Sequence, residues 1–131
     1  MNKYNYIPRK AVFLIFVTAF FFAPGCGSKG LTDFIPNLSN TWQNKADATN
    51  TFFFFPAQTN TNMSTFTGNV NPPGAGSQTH IAGSFENENV EFTYTDGPNT
   101  GKKYSGKFIK NSNPFRMELK SGTEDLILEQ H

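Results

Sequence analysis

Apolar and polar residues alternate along most of the chain after residue 40. In one run, Val90, Phe92 and Tyr94 would face one side of a strand, and Glu91 and Thr93 would face the other. A period of two is typical of a sheet with one buried and one hydrated face. The pattern predicts eight strands, at 40–44, 51–56, 63–70, 78–86, 89–95, 102–110, 115–120 and 124–130.

The breaks between the predicted strands are short and rich in Asn, Gly, Pro and Ser. Antiparallel neighbours can be joined by such loops, whereas parallel neighbours need a crossover of about a dozen residues or more. The chain is therefore predicted to be all-β, a small antiparallel meander. It would form either an up-and-down β-barrel or an open, strongly curved sheet.

A glycine lies between two apolar residues in three of the predicted strands. The segments are Phe66-Thr67-Gly68-Asn69-Val70, Ile81-Ala82-Gly83-Ser84-Phe85 and Tyr104-Ser105-Gly106-Lys107-Phe108. In each segment the glycine and its apolar flanks share one face of the strand. Such a glycine lets a strand bend and leaves room for side chains from across the core.

The run Phe52–Phe55 departs from the alternation because it puts aromatic rings on both faces of its strand. We expect the outer face to be covered, either by the apolar segment 31–38 acting as a plug or by a neighbouring subunit. The alternative is an exposed apolar patch that binds a partner.

The first 25 residues have the pattern of an export signal. Residues 1–10 carry three basic groups and no acid, and residues 11–23 are apolar except for Thr18. Thirteen helical residues are too short to span a bilayer but suit the apolar part of a signal peptide. The alternative is a buried N-terminal helix, which would show an amphipathic period that this segment lacks.

The stretch Ala23-Pro24-Gly25-Cys26 resembles the lipobox of bacterial lipoproteins, with Ala in place of the usual Leu three residues before the cysteine. The resemblance implies cleavage before Cys26 and attachment of acyl chains, palmitate among them, to that residue. It implies a signal peptide at 1–25, a tether at 26–39 and a domain at 40–131. Gly27, where an Asp would favour inner-membrane retention, implies an outer-membrane anchor facing the periplasm. The alternative is an ordinary secretory signal followed by a free thiol.

Charge and cysteine content exclude several classes of protein. From Cys26 onward there are eight Lys and Arg against ten Asp and Glu, a formal charge of −2. That balance gives no electrostatic reason to bind nucleic acid. A single cysteine excludes an internal disulfide.

The segment Asn40-Thr41-Trp42-Gln43-Asn44 is similar to the first strand of avidin-like barrels, and a Trp near the first strand is also similar to lipocalins. Avidins hold biotin with several Trp residues, and this chain has one, so biotin binding is not carried over. Trp42 is expected to close one end of the core. The candidate contacts for a small ligand are Trp42, Tyr94 and Tyr104.

Nothing in the pattern indicates catalysis, a metal site or a cofactor. His80 stands on the polar face of its strand, and Glu86, Glu88 and Glu91 lie on and beside one hairpin turn. Neither arrangement offers an activated nucleophile or three convergent metal ligands. We therefore expect a non-enzymatic protein without cofactor.

The sequence thus predicts a lipid-anchored envelope protein with a binding or structural role. Its partners would be the membrane, through Cys26, and either a protein or a small apolar ligand held in the barrel. An alternative is a periplasmic inhibitor or assembly accessory that inserts a mobile N-terminal segment into its target.

The anchor is testable by metabolic labelling. Wild-type protein should incorporate labelled palmitate in a bacterial host, and Cys26→Ser should not, because the variant lacks the acceptor thiol. Equal labelling of the two proteins would contradict the anchor.

Overall fold

Eight β-strands make up most of the described chain. The computed structural model describes residues 34–72, 74 and 76–131, so the predicted signal peptide, Cys26 and the tether residues before Phe34 lie outside the described residues. The strands are β1 (Trp42–Asn44), β2 (Asp47–Pro56), β3 (Met63–Asn71), β4 (Thr79–Glu86), β5 (Asn89–Tyr94), β6 (Lys103–Ile109), β7 (Arg116–Ser121) and β8 (Glu124–Gln130).

Each strand pairs antiparallel with the next, and β1 pairs with β8 to close the sheet into a barrel. The closing pairs are Trp42 with Gln130, Gln43 with Glu129, and Asn44 with Leu128. The predicted all-β antiparallel meander is confirmed. Of the two predicted forms, the closed barrel is the correct one, and closure removes free strand edges.

The main difference from the predicted strands is at β2, which begins at Asp47 rather than near residue 51. Its first four residues, Asp47 to Asn50, show no alternation of apolar and polar side chains. A turn before them holds this part of the chain, since the Lys45 amide donates to the Ile127 carbonyl and the Ala46 amide donates to Asn44 Oδ1. The strand is thus extended by backbone pairing instead of by an apolar pattern.

The inward side chains form one core that is rich in aromatic rings. Trp42, Phe52, Phe92 and Phe108 are its largest fully buried members. The buried set is Leu38, Trp42, Phe52, Phe54, Phe66, Val70, Ile81, Phe85, Val90, Phe92, Tyr94, Tyr104, Phe108, Met117, Leu119, Leu126 and Leu128.

Inward-facing glycines provide the space for these rings. Gly83 lies between Phe66 and Phe92 in the register, and a Cβ there would come within 2.7 Å of Phe66 Cζ and 2.8 Å of Phe92 Cβ. At Gly106 a Cβ would lie 1.9 Å from the carbonyl oxygen of Glu118, on the backbone of β7. The predicted room for core side chains is therefore confirmed at Gly83, whereas at Gly106 the missing side chain permits close approach of β7.

Substitution at Gly106 should be costly because the obstacle is backbone and cannot rotate away. We expect Gly106→Ala to lower the free energy of unfolding by about 1–3 kcal/mol, the usual range for overpacking. The matched control is Ser105→Ala, whose exposed side chain should leave stability within about 0.5 kcal/mol of wild type. Urea unfolding measures both, and equal stabilities for the two variants would contradict the packing argument.

Candidate functional site

One end of the barrel is closed by the segment before β1. Successive strands run in opposite directions, so the loops at 57–62, 87–88 and 110–115 share this end with residues 34–41. We call it the plugged end. The Phe34 ring lies 5.8 Å from that of Phe108 and 6.1 Å from that of Phe115, and Leu38 is buried.

Trp42 is part of this closure. Its side chain is fully buried, and Nε1 donates to the Leu38 carbonyl at 3.3 Å. Its ring also lies 5.6 Å from that of Phe115. Of the predicted tether, residues 34–38 therefore contact the barrel.

The candidate ligand contacts do not surround a common space. Tyr94 and Tyr104 are neighbours at the opposite end, with ring centroids 6.4 Å apart, whereas Trp42 lies at the plugged end. Between them run ring contacts from Trp42 to Phe54 at 6.0 Å, from Phe54 to Phe92 at 6.3 Å, and from Phe92 to Tyr104 at 5.5 Å. The protein's own rings occupy the path between the two ends.

The end opposite the plug, which we call the tyrosine end, holds a cluster of titratable groups. The Tyr104 hydroxyl donates to Glu124 Oε1 at 2.5 Å, and Lys102 Nζ donates to Glu124 Oε2. Lys102 Nζ also lies 5.3 Å from the centroid of the Tyr104 ring. The cluster links the start of β6 to the start of β8 across β7.

The electrostatics of this cluster hold each group in its ordinary charge state at neutral pH. Burial raises the pKa of Tyr94 to about 12. Burial and the hydrogen bond with Glu124 raise the pKa of Tyr104. Hydrogen bonds to Glu124 and then Tyr104 raise the pKa of Lys102 to about 12, and Lys102 is the main cause of the lowered pKa of Glu124. A general acid or base works best with a pKa near the operating pH, and these shifts lead away from it.

His80 and Asp96 form a second polar contact at the tyrosine end. Nδ1 of His80 lies 2.5 Å from Asp96 Oδ2, and the His80 amide donates to Asp96 Oδ1 at 2.6 Å. Contact with His80 lowers the pKa of Asp96. The expected exposure of His80 is confirmed, with 53% of its side chain accessible. Asp96 was not predicted as its partner. Extending the β4–β5 pairing outward from the turn at Asn87 places His80 opposite Thr95, and Asp96 is the next residue.

The three glutamates near the β4–β5 turn do not converge. Glu88 pairs with Lys110 at the plugged end, and Glu91 pairs with Lys103 at 2.8 Å on the outer face. Glu86 stands opposite Asn89 in the register. Within the described residues, no group of three or more His, Cys, Asp or Glu side chains could hold a metal ion.

An open groove of about 760 Å³ lies on the outside of the barrel, across β3 to β6. Two rows of outward-facing side chains line it, and the buried residues Phe85 and Val90 lie beneath them. One row is Thr65, Ser84, Glu91 and Ser105, and the next is Met63, Glu86, Asn89 and Lys107. We call this feature the outer groove, and sequence alternation alone did not indicate it.

Charge is divided unevenly around the outer surface. Ion pairs join Arg116 with Glu118 on β7, and Lys120 with Asp125 between β7 and β8. The outward residues of β2 to β4 are mostly neutral, with Thr, Asn, Ala and Ser predominating. The mostly neutral strands β3 and β4 thus form one side of the outer groove, and Glu91 and Lys107 lie on its other side.

Within the described residues, the outer face of the four-phenylalanine run is not fully covered, and residues 31–33 of the predicted cover lie outside them. Phe53 is half-buried, but Phe55 is 53% exposed. The physical reason is that residues 34–38 pack at the barrel end against Phe108 and Phe115. A neighbouring subunit, the other cover considered, stays a prediction.

No family model, curated protein or solved structure matches this chain. Of the residues that the structure describes, none forms a helix long and apolar enough to cross a bilayer.

The Glu124 contacts predict a pH dependence of stability. Because the pKa of Glu124 is lowered from 4.5 in the folded state, the unfolded chain binds this proton first as the pH falls. The contribution is therefore present above pH 4.5 and is lost as the pH falls through the lower folded pKa. Glu124→Gln should lose less stability on acidification than wild type does.

Urea unfolding at neutral and at acidic pH measures this difference. Tyr104→Phe, which removes one of the two donors to Glu124 and keeps the ring, should give an intermediate response. Parallel acid dependence in wild type and Glu124→Gln would contradict the linkage.

Proposed function

We propose that this protein is a lipid-anchored component of the bacterial cell envelope that binds a protein partner through the outside of its barrel. Its role is non-catalytic. The observation that carries the proposal is the combination of an interior occupied by aromatic rings with an open outer groove of about 760 Å³.

The anchor rests on the N-terminal sequence. A basic start, an apolar run and Ala23-Pro24-Gly25-Cys26 follow one another in the order of a lipoprotein signal. The mature chain begins at Cys26 in this proposal, and its acyl chains hold it in the outer membrane, facing the periplasm. Two or three chains supply the firm attachment that one chain lacks.

The packing of the interior favours the outer surface over a small apolar ligand. A barrel of eight strands is just wide enough to be filled by its own side chains or to hold one small ligand. Here the ring contacts continue from Trp42 through Phe54 and Phe92 to Tyr104. An interior ligand would have to displace these rings.

The chemistry of the outer groove favours a polypeptide occupant. Apolar surface makes up most of the groove's lining, and the hydroxyl groups of Thr65, Ser84 and Ser105, with Glu86 and Lys107, add polar groups to it. Hydroxyl and charged side chains can satisfy the backbone amide and carbonyl groups of a peptide segment. An apolar small molecule would leave them unpaired.

The inhibitor alternative requires a segment that can leave the barrel. Phe34 packs on Phe108 and Phe115, and Leu38 is buried, so residues 34–38 would have to be withdrawn from the plugged end first. That loss of packing weighs against an inserted tail and in favour of a fixed plug.

Site-specific photo-crosslinking in cells tests the outer groove. A benzoylphenylalanine replacing Ser84 in the groove should give one discrete adduct, because its side chain would contact the partner. The matched control is the same replacement at Asp125, an outward residue of β8 on the other side of the barrel. Absence of an adduct from position 84, or equal adducts from both positions, would contradict the proposal.

A further inference from the structure

The exposed large apolar side chains are concentrated at the plugged end. In the part of the chain that the structure describes they are Ile35, Phe55 and Met63, which are 49%, 53% and 54% exposed. Phe55 is near the end of β2 and Met63 begins β3, so these two flank the loop at 57–62. Ile35 lies near the same loop, since both line a cleft of about 350 Å³. We call Ile35, Phe55 and Met63 the apolar rim.

The surroundings of the apolar rim carry little net charge. The loop at 57–62 contains only Ala, Gln, Thr and Asn. Nearby, Glu88 and Lys110 neutralise each other in an ion pair, while Glu86 stands opposite Met63 in the register. Removing charged groups from water is costly, so Glu86, Glu88 and Lys110 would stay in the hydrated headgroup layer while the apolar rim contacts lipid.

The tyrosine end also carries titratable groups, but none of the exposed large apolar side chains of the described residues lies there. Lys102, Glu124, His80 and Asp96 are all placed there, and each is partly exposed. The barrel is therefore asymmetric along its axis in one respect: charged groups lie at both ends, but the exposed large apolar side chains of the described residues lie only at the plugged end.

The covalent chain also points to the plugged end. Phe34 is the first described residue and packs there, and Cys26 precedes it by eight residues. Eight residues span at most about 29 Å when fully extended. An acyl chain on Cys26 would keep the plugged end within about 29 Å of the membrane surface.

We propose that the apolar rim contacts the lipid bilayer that holds the acyl chains of Cys26. The barrel then stands on the membrane with its tyrosine end directed away. This inference rests on the proposed lipid anchor. Three side chains add little to the hold of two or three acyl chains, so the role of the rim is to orient the barrel.

The orientation also positions the outer groove. Met63 belongs both to the rim and to the groove lining, so a docked rim places the groove beside the lipid headgroups. The partner class that fits is then a protein whose contacting segment lies close to the membrane surface.

Tryptophan quenching by brominated lipids tests the contact. Full-length lipidated protein is reconstituted in vesicles of phosphatidylethanolamine and phosphatidylglycerol, with the phosphatidylglycerol brominated in one set. Phe55→Trp and Met63→Trp should show blue-shifted emission and lose most of the added signal in the brominated vesicles. The matched control, Asn99→Trp in the exposed loop of the tyrosine end, should keep its emission. The buried Trp42 is common to all samples and is subtracted with wild-type protein.

Unquenched emission at positions 55 and 63, or equal quenching at position 99, overturns the orientation. Blue-shifted emission at position 55 already in detergent, with no lipid quenching, also overturns it and indicates contact between copies of the chain. Palmitate labelling of the same preparations separates the two proposals. Label without quenching at the rim removes only this inference, whereas absence of label on Cys26 removes the anchor and this inference together.

Discussion

The fit between aromatic rings and inward-facing glycines is the constraint on which the rest of this barrel depends. Gly83 leaves room for Phe66 and Phe92, and at Gly106 the backbone of β7 approaches so closely that no side chain fits. Large and absent side chains therefore alternate across neighbouring strands, which lets rings cross the interior while the sheet closes. Because the protein's own rings fill the interior, the proposed function places partner binding on the outer surface of the barrel.

The alternation of apolar and polar residues was enough to locate the eight strands, because each buries one face and hydrates the other. It did not extend β2 back to Asp47, since the first residues of that strand do not alternate and Asp47 is placed by its pairing with Asn44 of β1. The alternation also could not predict that the sheet closes into a barrel. Pairing of β1 with β8 depends on the twist summed over all eight strands, and no short stretch of sequence records that sum.

The site residues show the same division between local and distant information. Alternation correctly predicts that Tyr94 and Tyr104 face inward, but their distance from Trp42 depends on where each residue falls along the barrel axis. Glu124 is brought to Tyr104 by two successive strand registers, through Ser121 on β7. The His80–Asp96 contact needed only one hairpin register, so it was within reach of the sequence. The outer groove was not, because residues from four strands, β3 to β6, line it.

The position of the shortest strand has a mechanical consequence. β1 has three residues, pairs with β8 to close the barrel, and directly follows the segment that leads towards Cys26. Gln130 of β8 donates through Nε2 to the carbonyl groups of Asn37 and Ser39, so that segment is also bound to β8, the strand that closes the barrel with β1. Tension applied along the N-terminal chain would act first on the packing of residues 34–38 and on the hydrogen bonds of Gln130. Only then would it act on the few hydrogen bonds between β1 and β8. The packing of Phe34 and Leu38 therefore protects the short pairing of β1 with β8 from a pulling force on the N-terminal chain.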